Sequence, residues 1–171
     1  ATTGENILAL HHDKAVNAVA WSPDGRRILT GSNDSTAYVW DATSGEKIRV
    51  LTHTKAVNAV VWSPDGEYIL TGSEDSKATV WDAESGGHLH TLNHGERILS
   101  VSWLDKGRTI RTGSADGTIR LWNAETGDNV GTDNHTRSIA AMAWSPDGKH
   151  ILTASRNGIV DIWDGATGWH T

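Results

Sequence analysis

Tryptophans recur along this chain at a fixed interval, and this periodicity constrains the fold more than any other feature of the sequence. Two series of four tryptophans are each spaced 41 residues apart, and the second series follows the first by 19 residues. The first series is Trp21, Trp62, Trp103 and Trp144, and the second is Trp40, Trp81, Trp122 and Trp163. Neighbouring units share long runs, since Lys14–Val19 is repeated unchanged as Lys55–Val60. The chain therefore consists of four tandem units.

Within a unit, apolar residues fall in short alternating runs, which is typical of β-strands. In the first unit these runs lie at residues 16–21, 28–29, 39–40 and 48–51, and turn-forming segments such as Ser22–Gly25 separate them. No segment has the pattern of a helix of about ten residues or more. The sequence predicts an all-β fold of about sixteen short strands in four antiparallel sheets. A small four-stranded sheet cannot bury both faces alone, so neighbouring units must cover each other.

Several motifs recur in register: a His near the start of the unit, a Trp-Ser-Pro-Asp-Gly turn, Thr-Gly-Ser followed by Asp, and a terminal Trp-Asp pair. The terminal pair is Trp40-Asp41, Trp81-Asp82 and Trp163-Asp164, whereas the third unit has Trp122-Asn123 and replaces Ser-Pro-Asp by residues 104–106. Over essentially its whole length the chain resembles the WD-repeat family. The resemblance implies a β-propeller of four four-stranded antiparallel WD-type blades, at about residues 11–51, 52–92, 93–133 and 134–171 of one domain spanning 1–171.

The phase of the repeat places an extra strand at the N-terminus. Residues 5–10 align with residues 46–51, so they are predicted to form an outer, fourth strand, whereas the last unit stops after its third strand. The resemblance implies that the N-terminal strand completes the last blade of a ring.

The number of blades in that ring is predicted from the resemblance and from wedge angles. The resemblance implies seven or eight blades, which need about 51° or 45° each, whereas a closed ring of four blades needs about 90° per blade. Large Trp side chains fill wedges of the smaller angle better. An open half-ring would expose two apolar blade faces. We therefore expect a two-fold homodimer with eight blades, in which each N-terminal strand completes the partner's last blade. A closed four-bladed ring and a fragment of a longer propeller remain alternatives, and the start at Ala1 with such similar units favours engineering, excision or recent duplication.

Three further residue series also repeat every 41 residues and bring together the residue types of a hydrolase triad. They are His12, His53, His94 and His135; Thr30, Thr71, Thr112 and Thr153; and Asp34, Asp75, Asp116 and Asn157. Four copies favour a structural network over catalysis, and the resemblance implies a tetrad in which the second-series Trp donates its indole N–H. Ser32 and its equivalents are an alternative source of the hydroxyl. Because Asn157 has no carboxylate, the fourth tetrad should be the weakest. Since the network is interpreted as structural, we expect no enzyme activity.

A group of histidines could be considered for metal binding. His88 and His90 stand two residues apart in a predicted strand, with His94 nearby. Alternation in an exposed outer strand explains the pair equally well, and His94 already belongs to a tetrad. We expect no metal site, no catalytic residue and no cofactor.

Binding of another protein is the alternative function. The resemblance implies a binding surface at the top of the ring, with candidates Asn17, Asn33, Asn58, Glu74, Arg97, Leu99 and Arg156. No aromatic anchor occurs among them, although Tyr and Trp are the usual hot spots of tight interfaces. The sequence thus favours a scaffold whose partner is a second copy of itself, with protein or peptide recognition second.

Composition excludes several other functions. The chain has no Cys, which rules out disulfides, thiolate catalysis and Cys-ligated metals. A net charge of -6 without a Lys/Arg cluster argues against nucleic acid, and no stretch approaches the roughly 20 apolar residues of a membrane span. The compartment is not determined; the chain shows no secretory signal, and a natural protein of this kind would be cytoplasmic.

Overall fold

The computed structural model describes residues 7–134, 139–145, 149–155 and 158–164, and in these ranges the chain is built from β-strands. Blade 1 comprises β1 (Val16–Trp21), β2 (Arg27–Ser32), β3 (Thr36–Asp41) and β4 (Lys47–Thr52). Blade 2 comprises β5 (Val57–Trp62), β6 (Tyr68–Ser73), β7 (Lys77–Asp82) and β8 (His88–Asn93). Blade 3 comprises β9 (Ile98–Leu104), β10 (Thr109–Ser114), β11 (Thr118–Asn123) and β12 (Asn129–Asn134). Blade 4 comprises β13 (Ile139–Trp144), β14 (His150–Ser155) and β15 (Val160–Asp164).

The strands form four separate antiparallel sheets, each in simple sequential order. Blades 1 to 3 have four strands, and blade 4 has three. Within a blade each strand pairs with the next one along the chain, whereas the described strands of different blades do not pair, so each 41-residue unit yields one sheet. The prediction of an all-β fold made of four antiparallel blades is confirmed.

In blades 1 and 2 the Trp-Ser-Pro-Asp-Gly segments form the turns between the first and second strands. In blade 1, Ser22 Oγ donates to Asp24 Oδ1 (2.6 Å) and accepts from the Arg27 backbone N–H (2.8 Å), while Gly25 takes a φ of +69°. In blade 3, where the sequence departs from this motif, a 3₁₀ turn at Asp105–Gly107 replaces it, with Lys106 at φ +58°. The substituted turn still joins two paired strands, so the departure leaves the blade intact.

Consecutive blades pack face to face through apolar side chains. Between blades 1 and 2, Leu29 and Val39 pack in one cluster with Val57 and Trp62. Gly31 lies where a Cβ atom would approach Val57 Cγ1 to 2.8 Å, so glycine permits the close approach of the next blade. A second cluster joins blades 2 and 3 in the same way. The core therefore lies between the blades, as a stack of small sheets requires.

The junction between blades 3 and 4 differs in composition. Position 111 is the repeat equivalent of the fully buried Leu29 and Leu70, but it carries an arginine that is also buried. Burial lowers the pKa of the Arg111 guanidinium from its ordinary value. A charged group therefore occupies a position that is apolar at the other two junctions.

The predicted N-terminal strand is not formed within the chain. Residues 7–10, the described part of the predicted strand 5–10, pair with no other element among the described residues. A strand needs a neighbour with free backbone groups. The sheet that lacks a strand is blade 4, which is the last in the series of packed blades and lies at the other end of the series from residues 7–10.

Among the described residues, no helix has the length and apolar character needed to cross a membrane.

Candidate functional site

Blades 1, 2 and 3 each hold a buried hydrogen-bond chain built on a His, a Thr, an Asp and a Trp, and blade 2 shows its simplest form. His53 Nδ1 donates to Asp75 Oδ2 (3.1 Å), and Thr71 Oγ1 donates to His53 Nε2 (2.7 Å). Trp81 Nε1 donates in turn to Thr71 Oγ1 (2.8 Å). The network assigns the histidine proton to Nδ1, because the carboxylate can only accept.

Blade 1 repeats this arrangement with shorter contacts. His12 Nδ1 lies 2.8 Å from Asp34 Oδ2, and His12 Nε2 lies 2.6 Å from Thr30 Oγ1, which also accepts from Trp40 Nε1 (2.8 Å). The alternative hydroxyl, Ser32 Oγ, donates instead to the Lys14 carbonyl (3.3 Å). Threonine therefore supplies the hydroxyl of the tetrad.

In blade 3 a second threonine enters the chain. His94 Nδ1 donates to Thr118 Oγ1 (3.0 Å), which donates to Asp116 Oδ1 (2.6 Å), while the His94 Nδ1 to Asp116 Oδ2 distance is 3.6 Å. The other end is unchanged, since Thr112 Oγ1 lies 2.6 Å from His94 Nε2 and accepts from Trp122 Nε1 (2.7 Å). The third tetrad thus contains the predicted residues together with Thr118.

Only half of the fourth tetrad lies among the described residues. Trp163 Nε1 donates to Thr153 Oγ1 (2.7 Å). His135 and Asn157 lie outside the described residues, so the weaker fourth tetrad stays a prediction.

The tetrads of blades 2 and 3 keep their histidines neutral, and the tetrads of blades 1 to 3 keep their carboxylates ionised. Burial lowers the pKa of His53, and it lowers the pKa of His94 to about 4. Burial by itself would raise the pKa of Asp34, but hydrogen bonds from Thr36 and His12 outweigh it and hold that pKa at about 2. At neutral pH the tetrads of blades 2 and 3 therefore each hold one buried negative charge, stabilised by hydrogen-bond donors rather than by a cation.

This geometry does not suit nucleophilic catalysis. The hydroxyls of Thr71 and Thr112 are fully buried, and each already contacts a histidine and an indole. A substrate could reach such a hydroxyl only after the blade had opened. The geometry of the tetrads instead suits a structural role, in which their hydrogen bonds connect the strands of one blade.

The two histidines in the outer strand of blade 2, His88 and His90, form hydrogen bonds with other groups of the protein. His88 Nε2 lies 2.7 Å from Thr91 Oγ1, and His90 Nε2 donates to the Glu125 carbonyl (2.9 Å). No cluster of three or more metal-ligating side chains occurs in the described part of the chain.

The predicted top-face residues separate into two groups. Asn17 and Asn58 use their amides between blades, donating to the carbonyls of Val57 (3.0 Å) and Ile98 (3.3 Å), and Asn17 also donates to Asn33 Oδ1 (2.7 Å). Glu74 is exposed, and Arg97 and Leu99 are half-buried. Arg156 lies outside the described residues.

The two ends of the blade series expose apolar faces that the sequence did not single out by residue. On blade 1, Val19 and Trp21 are 70% and 63% exposed. On blade 4, Val160 and Ile162 are 64% and 71% exposed. Comparing repeat equivalents identifies these faces, because the same positions are buried or half-buried at the inner junctions.

The N-terminal segment contacts blade 1 in a way that repeats along the chain. Leu8 lies against Gly45, so that a Cβ there would meet Leu8 Cδ2 at 2.8 Å. One unit later Arg49 lies against Gly86, and after another unit His90 lies against Gly127. Arg49 and His90 belong to the outer strands β4 and β8. Leu8 thus occupies the place of an outer-strand residue in a blade preceding blade 1.

Two family models match the chain. The model described as "WD domain, G-beta repeat" matches residues 4–41. The model described as "Eukaryotic translation initiation factor eIF2A" matches residues 33–171.

Curated relatives share single units with the chain. WD repeat-containing protein 1 of Gallus gallus is 44% identical over 43 residues, which are 23% of this chain and 7% of that protein. A probable cytosolic iron-sulfur protein assembly protein 1 of Cryptococcus neoformans is 46% identical over 35 residues, which are 20% of this chain and 8% of that protein. The chain therefore spans less than a tenth of the length of these relatives in each match.

A solved structure matches nearly the whole chain. The crystal structure of the computationally designed Ika4 protein aligns with a TM-score of 0.80 and 25% sequence identity, covering 95% of this chain and 99% of that one.

Proposed function

Because the chain belongs to the WD-repeat family of β-propeller proteins, and over residues 33–171 to the family that the eIF2A model describes, we propose that it is a non-catalytic scaffold that assembles with a second copy of itself. In this assembly two chains form one eight-bladed ring, and each N-terminal segment supplies the fourth strand of the partner's blade 4. The family matches concern the fold, and the activities named by the relatives are not assigned to this chain.

The position of the N-terminal segment is the observation that carries the proposal. Leu8 contacts Gly45 as Arg49 contacts Gly86 one unit later, so the segment lies where the outer strand of a preceding blade belongs. Within the described chain no such blade is present on that side of blade 1. The segment is therefore already positioned to add to a blade that a second copy would bring.

Blade 4 offers the matching edge. It has three strands, and β15 is its last. In blades 1 and 2 the third and fourth strands pair Val39 with Arg49 and Val80 with His90. The same register carried by one more unit pairs Ile162 with Leu8 of the second copy, Asp161 with Ala9 and Val160 with Leu10. Two backbone edges without neighbours in the described chain are thus satisfied together.

The exposed apolar faces of blade 1 and blade 4 also complement each other between two copies. Trp21 of blade 1 is 63% exposed, whereas its equivalent Trp62 is 5% exposed because blade 1 covers it. Ile162 of blade 4 is 71% exposed, whereas its equivalent Val39 is fully buried against blade 2. Blade 4 of one copy can cover blade 1 of another as blade 1 covers blade 2. A two-fold arrangement closes both such junctions at once and covers the apolar faces described above for blades 1 and 4.

The first test of this proposal is the mass in solution. Light scattering on a size-exclusion column should give about twice the chain mass of 18.4 kDa. Removing residues 1–10 should return the mass to that of one chain, since the exchanged strand is lost. A full-length chain that remains a stable particle of one chain mass would contradict the proposal and indicate a four-bladed ring.

Cysteine cross-linking distinguishes exchange between copies from closure within one copy. The chain has no native thiol, so Ala9→Cys and Asp161→Cys introduce the only two. Mixing the two single variants should give a disulfide-linked pair of chains on a non-reducing gel. In the double variant, closure within one chain would instead give an internal disulfide and a single chain mass, which would contradict the proposal.

A matched control uses the same position one unit earlier. Ala9→Cys combined with Arg120→Cys places the second thiol on β11, whose edge is already paired with β12. This pair should not cross-link. Equal cross-linking of the control would show random collisions rather than a defined register.

A second candidate function is recognition of a protein or peptide at the top face. It rests on Glu74 and Arg97, which occupy solvent-accessible positions of the candidate surface and differ in charge between blades. Selection from a displayed peptide library, followed by Arg97→Ala, should show loss of binding with unchanged mass. Selection of no peptide that depends on Arg97 would exclude this function for the candidate surface.

A further inference from the structure

The first strand of every blade contains a β-bulge at the same place in the repeat. The register shifts between Val16 and Ala18 in blade 1 and between Val57 and Ala59 in blade 2, so Asn17 and Asn58 are the extra residues. The bulges in blades 3 and 4 fall at positions 99 and 140. A bulge redirects the side chain of its extra residue. The side chains of Asn17, Asn58 and Leu99 are therefore set apart from the regular alternation of their strands.

In the first two blades the redirected side chain reaches the next blade. Asn17 Nδ2 donates to the Val57 carbonyl (3.0 Å), and Asn58 Nδ2 donates to the Ile98 carbonyl (3.3 Å). Each acceptor belongs to the first residue of the next blade's first strand. The same bond thus recurs at two successive junctions, one repeat apart.

The series ends after the second blade, because position 99 is leucine and position 140 is alanine. Neither residue has an amide to donate. The junction between blades 3 and 4, and the junction that a second copy would close, therefore contain no equivalent of this bond. The junction between blades 3 and 4 also has the buried Arg111 in place of leucine.

We infer that the bulge asparagine is a clamp between blades, and that its loss at position 140 makes the closing junction a weak seam through which the assembly opens. The second part rests on the proposed dimer, whereas the first part concerns the single chain. In the ring, an asparagine at position 140 would donate to the Val16 carbonyl of the second copy, the repeat equivalent of the Val57 carbonyl. The alanine keeps assembly reversible, while the Asn17 and Asn58 clamps hold the first three blades together.

The clamp is tested in the single chain first. Asn58→Asp preserves the shape of the side chain and removes the donor, so it should lower the equilibrium constant for folding more than twofold. In the parent chain the Asn58 side-chain amide should give an NMR signal protected from exchange, and this signal is absent from the variant. The reciprocal change compares Leu99→Asn with Leu99→Asp, which lose the same leucine packing. The asparagine variant should be the more stable by about twofold to tenfold in the folding constant. Equal stability of the two variants would overturn the clamp.

The seam is tested by the dissociation constant of the dimer. Ala140→Asn should lower it by about fourfold to a hundredfold relative to Ala140→Asp, because two symmetric junctions each gain one net hydrogen bond worth a factor of about two to ten. Sedimentation equilibrium over a dilution series measures both variants and the parent chain. A dissociation constant of Ala140→Asn that is no lower than that of the parent chain would overturn the seam.

The two proposals fail in different ways. A parent chain that stays a monomer at every concentration overturns the dimer and the seam together, and the Leu99 pair of variants still decides the clamp. A parent dimer that Ala140→Asn does not tighten overturns the seam alone.

Discussion

Two strands of this protein have almost the same sequence and very different surroundings. β1 and β5 both contain the run Val-Asn-Ala-Val and end in tryptophan, and each pairs with its second strand in the same register, with the bulge at the same place. Yet Trp21 is 63% exposed and Trp62 is 5% exposed. The sequence of a strand sets its pairing within the blade, but the neighbouring blade decides what is buried.

The buried member of the pair also has an unusual polar group. Trp62 Nε1 is buried with no hydrogen-bond partner among the described residues, as is Trp103 Nε1. The Arg27 guanidinium lies over the Trp62 ring, 4.9 Å from its centroid. Apolar area and this cation–π contact therefore hold the ring between the blades, whereas the indole N–H opposes burial. Substitutions in β1 and β5 therefore test how much the neighbouring blade contributes to the stability of each strand.

The largest expected difference is between alanine substitutions of the two tryptophans. Trp62→Ala should lower the free energy of unfolding by about 3–5 kcal/mol, because it leaves a cavity between blades 1 and 2. Trp21→Ala should change the stability of the monomer far less, and should instead weaken assembly. Urea unfolding at concentrations where light scattering shows a monomer, together with the mass at high concentration, measures both effects. Equal losses of monomer stability would mean that Trp21 is covered within its own chain.

The tetrads should behave in the opposite way, because they lie within a blade and do not depend on its neighbours. His12→Ala should cost about 1–3 kcal/mol, since the buried Asp34 loses a donor. His53→Ala should cost a similar amount in blade 2. Denaturant unfolding of the two variants gives the comparison. Stability equal to that of the parent chain would remove the tetrad as a stabilising element.

Lowering the pH should destabilise the folded chain through the same networks. The pKa of His94 is about 4 in the folded state, against an ordinary value of 6.5, so between these values the unfolded chain binds more protons. The neutral His94 contributes fully to the free energy of unfolding above about pH 6.5, and this contribution is lost as the pH falls toward about 4. Below about pH 3.8 Asp34 adds a second loss, since its folded pKa is about 2. Unfolding free energies of the parent and His94→Gln over this range should differ in slope, and identical slopes would contradict the prediction.

The smallest expected change comes from Trp62→Phe. Phenylalanine keeps the ring in the inter-blade core and removes the indole N–H that has no acceptor among the described residues. The loss of packing and the relief of that buried donor oppose each other, so the free energy of unfolding should change by less than about 1 kcal/mol. Thermal and denaturant unfolding beside Trp62→Ala measure it. A loss as large as that of the alanine variant would show that the indole N–H has a partner.

Much of the candidate site follows from spacing in the sequence, and the remainder depends on contacts that spacing does not specify. The 41-residue interval groups His53 with Thr71, Asp75 and Trp81, which the structure places in one hydrogen-bond chain. It left Thr30 and Ser32 as alternatives, because residues two apart in a strand share a face. Only the fold separates them, by placing Ser32 Oγ near the Lys14 carbonyl.

Two other differences have the same origin. Asn17 and Asn58 were predicted as binding residues, yet their amides are used between blades, because the bulge that redirects them is a property of strand pairing. The N-terminal strand, predicted from alignment with β4 to pair with a partner's blade, stays a prediction, because residues 7–10 pair with no strand of the described chain. A strand needs a partner as well as a favourable sequence.

The strands, the turns and the membership of each blade follow from the amino-acid sequence, because alternation, turn residues and hairpin pairing all act within about forty residues. The packing of one blade against the next fixes which copies of a repeated side chain are buried, what the asparagine amides contact and where the N-terminal segment lies. These properties depend on the presence of a neighbouring blade, and identical repeats cannot encode whether a neighbour is there. Trp21 and Trp62 differ for that physical reason.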